Sequence, residues 1–318
     1  MIEDNIFLTD QTSESNLTEI SFEGSLTEER RICEVSEIVD EAVAETVTLL
    51  TDGMTLSEAL SIIGEGISFG ESVPHDGAMT ENLPVLRTYR ILVSALDRAA
   101  FSRLYAERLT ATVGGIGEAD FLPKLTPPET LAYVKNPYAD EAYDVFSVEL
   151  SDPRVTYAPS FKELARMLSK DEVGYVLLPL EERGGVRLPT VAEIILRGDF
   201  KINSVTPVFG LDGGADMKYA LVSKSFTASA TAPGDDSYLE IRIELPSSTS
   251  LSELLCVSES LGARLYRVNT VTLDTDDGER TYYSVVLCDD GSGFISLLVY
   301  LTLFTPDLIP VGMYKNLE

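Results

Sequence analysis

Residues 238–245, YLEIRIEL, read as a β-strand, and the chain that follows repeats the motif in a fixed order. A helix is predicted over Leu251–Leu261, strands over Arg264–Leu273 and Arg280–Cys288, a second helix over Gly293–Phe304 and a last strand over Ile309–Tyr314. Asp276-Asp277-Gly278 supplies the turn chemistry of a hairpin between the two middle strands. The resulting order, β-α-β-β-α-β, is that of a ferredoxin-like sandwich, predicted here for residues 237–318. Phe294–Phe304 is the longest apolar run and contains Ser296 and Thr302. It is too short for the ~18–20 residues that span a bilayer and reads as a buried helix.

Upstream, residues 227–236 are small, polar and contain Pro and Gly, which marks a linker. Before it, residues 129–226 alternate strand and helix. Strands are predicted at Thr130–Val134, Val155–Ala158, Gly174–Pro179, Lys201–Phe209 and Lys218–Ser223. Helices fall at Asp140–Val148, Ser160–Ser169 with Ser160 as cap, and Val191–Arg197. Such alternation predicts a parallel or mixed sheet flanked by helices. Pro123, Pro127 and Pro128 make residues 118–128 a second expected linker.

Residues 25–117 read as helical. Ser25 with Glu28 and Thr55 with Glu58 each form a capping-box pattern. Ile32, Val35, Val39, Ala42, Val43, Thr46 and Leu50 recur at helical spacing after the first, and Leu60, Ile63 and Ile67 after the second. A third helix is expected to start near Pro84, with Leu86, Tyr89, Val93, Leu96, Ala100 and Leu104 on its apolar face, and to stop at Gly114, Gly115 and Gly117. Residues 1–24 are polar and acidic, in the manner of a mobile tail.

The formal net charge of −28 disfavours phosphate backbones and anionic lipid surfaces, so neither nucleic acid nor membrane is expected as a partner. Salt adaptation is another origin for such acidity. Cys33, Cys256 and Cys288 are far apart in sequence and read as free thiols of a reducing compartment. With one histidine, His75 in a Gly- and Pro-flanked stretch, neither a His/Cys metal site nor a Ser–His or Cys–His nucleophile is expected. No cofactor is expected. Acids near Met1 in place of basic residues argue against a signal peptide, so the protein is expected in the cytoplasm.

Ser160-Phe161-Lys162-Glu163-Leu164, followed by Val173–Glu181, resembles the prephenate dehydratase pattern, in which a helix of this type leads to a strand ending P-I-E-N-S-x-x-G-x-V. Leu131–Val134 with Asp140–Tyr143 resembles the opening strand and helix of that family, and Val311-Gly312-Met313-Tyr314 the ending of its regulatory ACT domain. The resemblance implies an α+β multidomain chain. Its parts would be a helical N-terminal region, a single truncated α/β lobe of the periplasmic-binding-protein-like dehydratase domain at residues 129–226, and an ACT domain at 237–318. A homodimer through the ACT domain is also implied, as is a small ligand, an amino acid or a prephenate-like acid.

The departures point away from catalysis. Glu181 is kept, but Glu182 and Arg183 replace the Asn and Ser, and Val186 the later Gly. At the place of the family's T-R-F triplet stand Met217-Lys218-Tyr219, and a thioether cannot donate a proton as the threonine hydroxyl can. Between Val208 and Met217 there is no room for the second lobe that closes the family's cleft. Glu181 and Lys218 are thus the dehydratase remnants.

In the regulatory domain, Ser250, Leu251, Asn269 and Thr270 occupy the places of the family's phenylalanine-binding motifs without their Gly, Glu and Arg. Residues 25–117 sit where fused enzymes of the pathway carry a chorismate mutase, for which Arg87, Arg90 and Arg98 are the candidate cations, against a plain solvated helix face. The expected function is a diverged, non-catalytic sensor or regulator of aromatic amino-acid metabolism. The alternatives are a live mutase or dehydratase, or a purely structural dimerisation module.

Overall fold

The computed structural model describes residues 35–72, 94–209, 215–227, 237–245, 247, 249–275, 278–289, 291–305, 307–315 and 317. Two antiparallel hairpin systems and a parallel three-stranded unit merge into one mixed sheet. Its order is β2-β1-β3-β6-β5-β10-β7-β9-β8, with the short β4 paired to β3.

The α/β unit begins with β1 (Thr130–Tyr133), α4 (Pro137–Glu149), β2 (Arg154–Tyr157) and α5 (Phe161–Ser169). It continues with β3 (Tyr175–Glu182), β4 (Val186–Arg187), α6 (Pro189–Gly198), β5 (Lys201–Phe209) and β6 (Ala215–Ser223). Its helices start where the sequence carries caps. The Asn136 amide oxygen accepts the Ala139 N–H ahead of Pro137, and Ser160 Oγ accepts the Glu163 N–H. β1 pairs in parallel with β2 and β3, whereas β6 runs antiparallel to both β3 and β5.

Residues 237–315 form β7 (Ser237–Glu244), α7 (Leu251–Ser260), β8 (Ala263–Thr275), β9 (Gly278–Asp289), α8 (Ile295–Phe304) and β10 (Leu308–Lys315). Their order, β10-β7-β9-β8 and antiparallel throughout, is that of the ferredoxin-like βαββαβ arrangement. The turn residues Asp276 and Asp277 lie outside the described residues.

The two units share one sheet through β10. Gly312 stands opposite Ile202 of β5 in a parallel pairing, and the Leu317 N–H continues it by donating to the Val205 carbonyl at 2.7 Å. Gly312 is needed for this approach, because a Cβ there would lie 3.0 Å from Ile202 Cβ and 2.9 Å from the Tyr314 ring.

Among the described residues, three apolar clusters fill the layers. One joins α5 and α6 to the sheet and takes in Val311 and Tyr314 of β10; a second packs α4 on Leu131, Tyr133, Leu177 and Tyr219. The third and largest lies over β7–β10, where α7 and α8 are covered in turn by α1 (residues 35–51), α2 (Leu56–Ser72) and α3 (Ala95–Val113). Enclosure on all sides explains why α8 is apolar all round, with Leu297, Leu298, Val299, Tyr300, Leu301 and Leu303 buried. No helix among the described residues is long and apolar enough to cross a membrane.

In the helical region, Val39, Val43, Thr46, Leu60 and Ile63 are buried as the spacing predicts, and Thr55 with Glu58 makes the expected capping box. The third helix differs. Its expected start at Pro84 and Leu86, Tyr89 and Val93 lie outside the described residues. Ser94, extended at φ −98° and ψ 157°, forms a capping box with Asp97 that starts the helix at Ala95. The buried stripe is Ala99, Ser102, Tyr105, Ala106 and Leu109, while Leu96 and Ala100 face outward. The expected linker at 118–128 is packed as well. Glu118–Phe121 forms a 3-10 turn, Phe121 and Leu122 join the largest core, and Leu125 N–H donates to the Phe226 carbonyl.

Candidate functional site

The even-numbered positions of β7 carry Tyr238, Glu240, Arg242 and Glu244, a pattern that reads as a solvent face. The fold covers that face with α6 and β4. Arg242 Nη1 lies 3.5 Å from the Leu196 carbonyl at the end of α6, and Ala192, Ile195 and Leu196 line the same small void as Glu240.

At this seam three charges are taken out of water and a fourth, on Arg267, is partly buried. Arg187 Nη2 donates to Glu240 Oε1 and Oε2 at 2.7 and 2.9 Å. Ser284 Oγ donates to Glu240 Oε1 at 2.7 Å, and Arg267 Nη1 donates to Glu181 Oε1 at 2.5 Å. Glu181 Oε1 is also 4.0 Å from Arg187 Nη1. The side chains of Glu240, Glu181 and Arg187 are 3%, 5% and 7% exposed, and two arginines against two glutamates leave the group neutral. Burial alone would lower the Arg187 pKa; the Glu240 carboxylate, with Tyr314 and Glu181, outweighs it and the net shift is upward. Burial, with Glu240 beside it, pushes the Tyr314 hydroxyl well above its ordinary range.

The loop that delivers Arg187 is built for this contact. Gly185 has φ +78°, and a Cβ there would collide with the Arg267 guanidinium. Arg187 Nη1, Glu181 Oε2 and Asn269 Nδ2 are buried without a hydrogen-bond partner. The adjoining void, of about 10 Å³, is of the size that holds one water.

Glu181 therefore sits inside the seam. Lys218 is its cross-strand neighbour on β6 and is half-buried. Met217 packs against the cluster around Tyr133 and Tyr219, while the Tyr219 hydroxyl contacts Asn136 Oδ1 at 3.3 Å. Asn269 lines the void beside Arg187 and Glu240. Thr270 and Val268 share the other face of β8, toward the helices, where Val268 packs against the core and Thr270 is exposed.

Ser250 caps α7 by accepting the Glu253 N–H at 3.1 Å, and Leu251 packs partly against the helical core. Asn269 thus stands on the sheet face away from Ser250 and Leu251. Arg98 donates from Nη2 to Glu253 Oε1 at 3.0 Å, so it tethers α3 to the first turn of α7. Arg87 and Arg90 lie outside the described residues. Arg187, Glu240 and Arg267 have no signal of their own in the sequence; the one pointer is a run of charges on an alternating strand, which reads as solvated. Among the described residues no group of His, Cys, Asp and Glu is arranged to hold a metal ion.

No protein-family model and no curated protein matches the chain. Solved structures similar to it include a prephenate dehydratase from Streptococcus mutans, with a TM-score of 0.46 and 11% identity over 59% of this chain and 99% of that one. The quorum-quenching acylase GqqA scores 0.44 at 13% identity, over 59% of this chain and 96% of that chain. A prephenate dehydratase from Arthrobacter aurescens, solved with L-Phe, scores 0.41 at 12% identity, over 59% and 90%. Scores below 0.5 at such identities do not establish a shared family.

Proposed function

We propose that this chain is a diverged, non-catalytic relative of the prephenate dehydratases, acting as a ligand-responsive regulatory protein of aromatic amino-acid metabolism. In this reading residues 129–226 are a single dehydratase lobe and residues 237–315 an ACT-like domain. One observation carries it: Glu181, the residue kept from the P-I-E-N-S segment of the dehydratase pattern, is buried and bound to Arg267 of the ACT-like sheet. A buried carboxylate committed to a partly buried guanidinium is not available to a substrate. The same contact couples the lobe to the regulatory sheet, so a ligand that alters either surface acts on both.

The direct antiparallel pairing of β5 with β6, from Lys201↔Ser223 to Phe209↔Ala215, supports the same view, since it leaves a hairpin where a second lobe would insert. The partner on this reading is a second copy, met through the ACT-like domain. Its outer strand β8 exposes Leu265 and Tyr266.

The deciding experiment is an NMR time course of the full chain with chorismate and with prephenate. No conversion above the blank is expected. Phenylpyruvate formed from prephenate, or prephenate from chorismate, would sink the non-catalytic assignment.

A further inference from the structure

Where the helical region, the lobe and the ACT-like unit meet, the surface opens into a cavity of about 330 Å³ that is accessible from solvent. That is at the small end of the ~300–1,000 Å³ typical of ligand sites, and junctions between units are where such sites concentrate. Its lining is mostly apolar, with Phe121, Leu122, Phe226, Leu298 and Leu301 of α8 and Leu308 of β10, and it includes the hydroxyls of Ser57, Ser61 and Thr302. The packing of α2 on α8 fixes one wall, since a Cβ on Gly64 would lie 3.0 Å from the Thr302 carbonyl oxygen.

Among the described residues that line this cavity, Lys201 is the charged one. It opens β5, its side chain is 12% exposed, and Nζ lies 5.8 Å from the centre of the Phe226 ring. Its anion is shared and outlying. Asp199 Oδ1 is 3.1 Å from Lys201 Nζ and 3.5 Å from Arg242 Nη1, and the Asp199 side chain is 62% exposed. Two cations around one solvated carboxylate leave an excess positive charge here, in a chain whose net charge is −28. Burial holds the Lys201 amine below its ordinary range, with Asp199 opposing that only in part. Among the described residues the Lys201 ammonium thus has no buried counter-charge, and apolar side chains stand beside it.

We infer that this cavity binds a small apolar monocarboxylate, with the carboxylate on Lys201 and a ring or branched chain against Phe226, Leu298 and Leu301. The inference rests on the ligand-responsive reading above and gives it a site and a ligand class. An α-amino acid is disfavoured, because as a zwitterion it brings a further ammonium near Lys201 and leaves the excess positive charge uncompensated, whereas a monocarboxylate neutralises it. A neutral amide of the same shape loses the charge-assisted contact, which is worth roughly tenfold or more in affinity.

Calorimetric titration of the full chain with phenylacetate and 3-phenylpropanoate tests this, with phenylacetamide and phenylalanine as controls. Saturable binding of an acid, at least roughly tenfold tighter than the amide and the amino acid, is expected. Lys201→Met removes the charge and should abolish the preference for the acid. Ser61→Phe, at an exposed position of α2 that lines the cavity, should block binding with Lys201 intact and decides the matter should the first variant misfold. Equal affinity for acid and amide, binding unchanged in both variants, or no saturable binding would overturn the assignment. Acid binding that survives both variants leaves a ligand-binding protein with its site elsewhere. Prephenate turnover alongside Lys201-dependent binding would instead remove the non-catalytic reading and keep the cavity.

Discussion

Arg187 donates to both carboxylate oxygens of Glu240 across the seam between the α/β unit and the βαββαβ unit, with both side chains almost fully buried. Removing one partner of such a pair strands the other's charge. Arg187→Met is expected to cost about 3–5 kcal/mol in urea denaturation. Arg187→Met with Glu240→Met should be less destabilising than Arg187→Met alone, because Glu181 retains Arg267 and no unpaired carboxylate remains at position 240. A double variant as unstable as the sum of the singles would show that the two residues are not coupled.

Gly312 is the position at which β10 closes on β5. Gly312→Ala places a methyl group 3.0 Å from Ile202 Cβ and 2.9 Å from the Tyr314 ring, an overpacking expected to cost about 1–3 kcal/mol. The same substitution at Gly53, where a Cβ would meet nothing within 4 Å, pays only for its φ of +93° and serves as the control.

Glu149 carries a pH prediction. Burial raises its pKa above the ordinary value of 4.5, the Ser204 hydroxyl at 2.7 Å opposes the shift, and Oε2 has no partner. Between 4.5 and the raised value the folded chain binds more protons than the unfolded one, so stability falls as pH climbs through that window. Glu149→Gln keeps an acceptor for Ser204 and removes the charge. The variant should be more stable than the parent at neutral pH, with the difference vanishing as pH falls below the ordinary glutamate value. A constant difference across a pH series of urea melts would contradict this.

Thr46 of α1 and Tyr105 of α3, both fully buried, share a hydrogen bond of 2.5 Å at the centre of the helical layer. Tyr105→Phe leaves Thr46 still donating to the Ala42 carbonyl, so its loss is expected to be about 1 kcal/mol by thermal or urea denaturation. Thr46→Val removes the other half, and the two substitutions together should be less than additive.

The local chemistry of this fold is legible in the chain. The Ser160 cap and the all-apolar α8 predict their elements to within two residues, and the apolar run at Gly174–Pro179 predicts a strand that continues three residues further, to Glu182, because each is decided by neighbours in sequence. The seam was illegible for the opposite reason. Glu240 alternates with Leu239 and Ile241 as any solvated strand residue would, and only the placement of α6 over that face buries it. Phe121 and Leu122 sit between prolines and glycines that signal a linker, yet Glu118 accepts the Phe294 N–H at 2.6 Å and Phe121 packs into the core. Tertiary context overrides the local signal in both cases. Lys201 likewise reads as an ordinary strand-entry cation, yet the fold leaves its side chain 12% exposed beside the Phe226 ring.

β10 lies between β5 and β7, and its partner residues Gly312 and Ile202 are separated by 110 positions in the chain. Pairing so distant in sequence incurs a large loop-closure entropy before any contact repays it, which slows folding. A strand held on both edges by different units also denies either unit an independent melting transition. The protein should refold slowly and unfold as a single cooperative body, with the amides of β10 among the last to exchange with solvent.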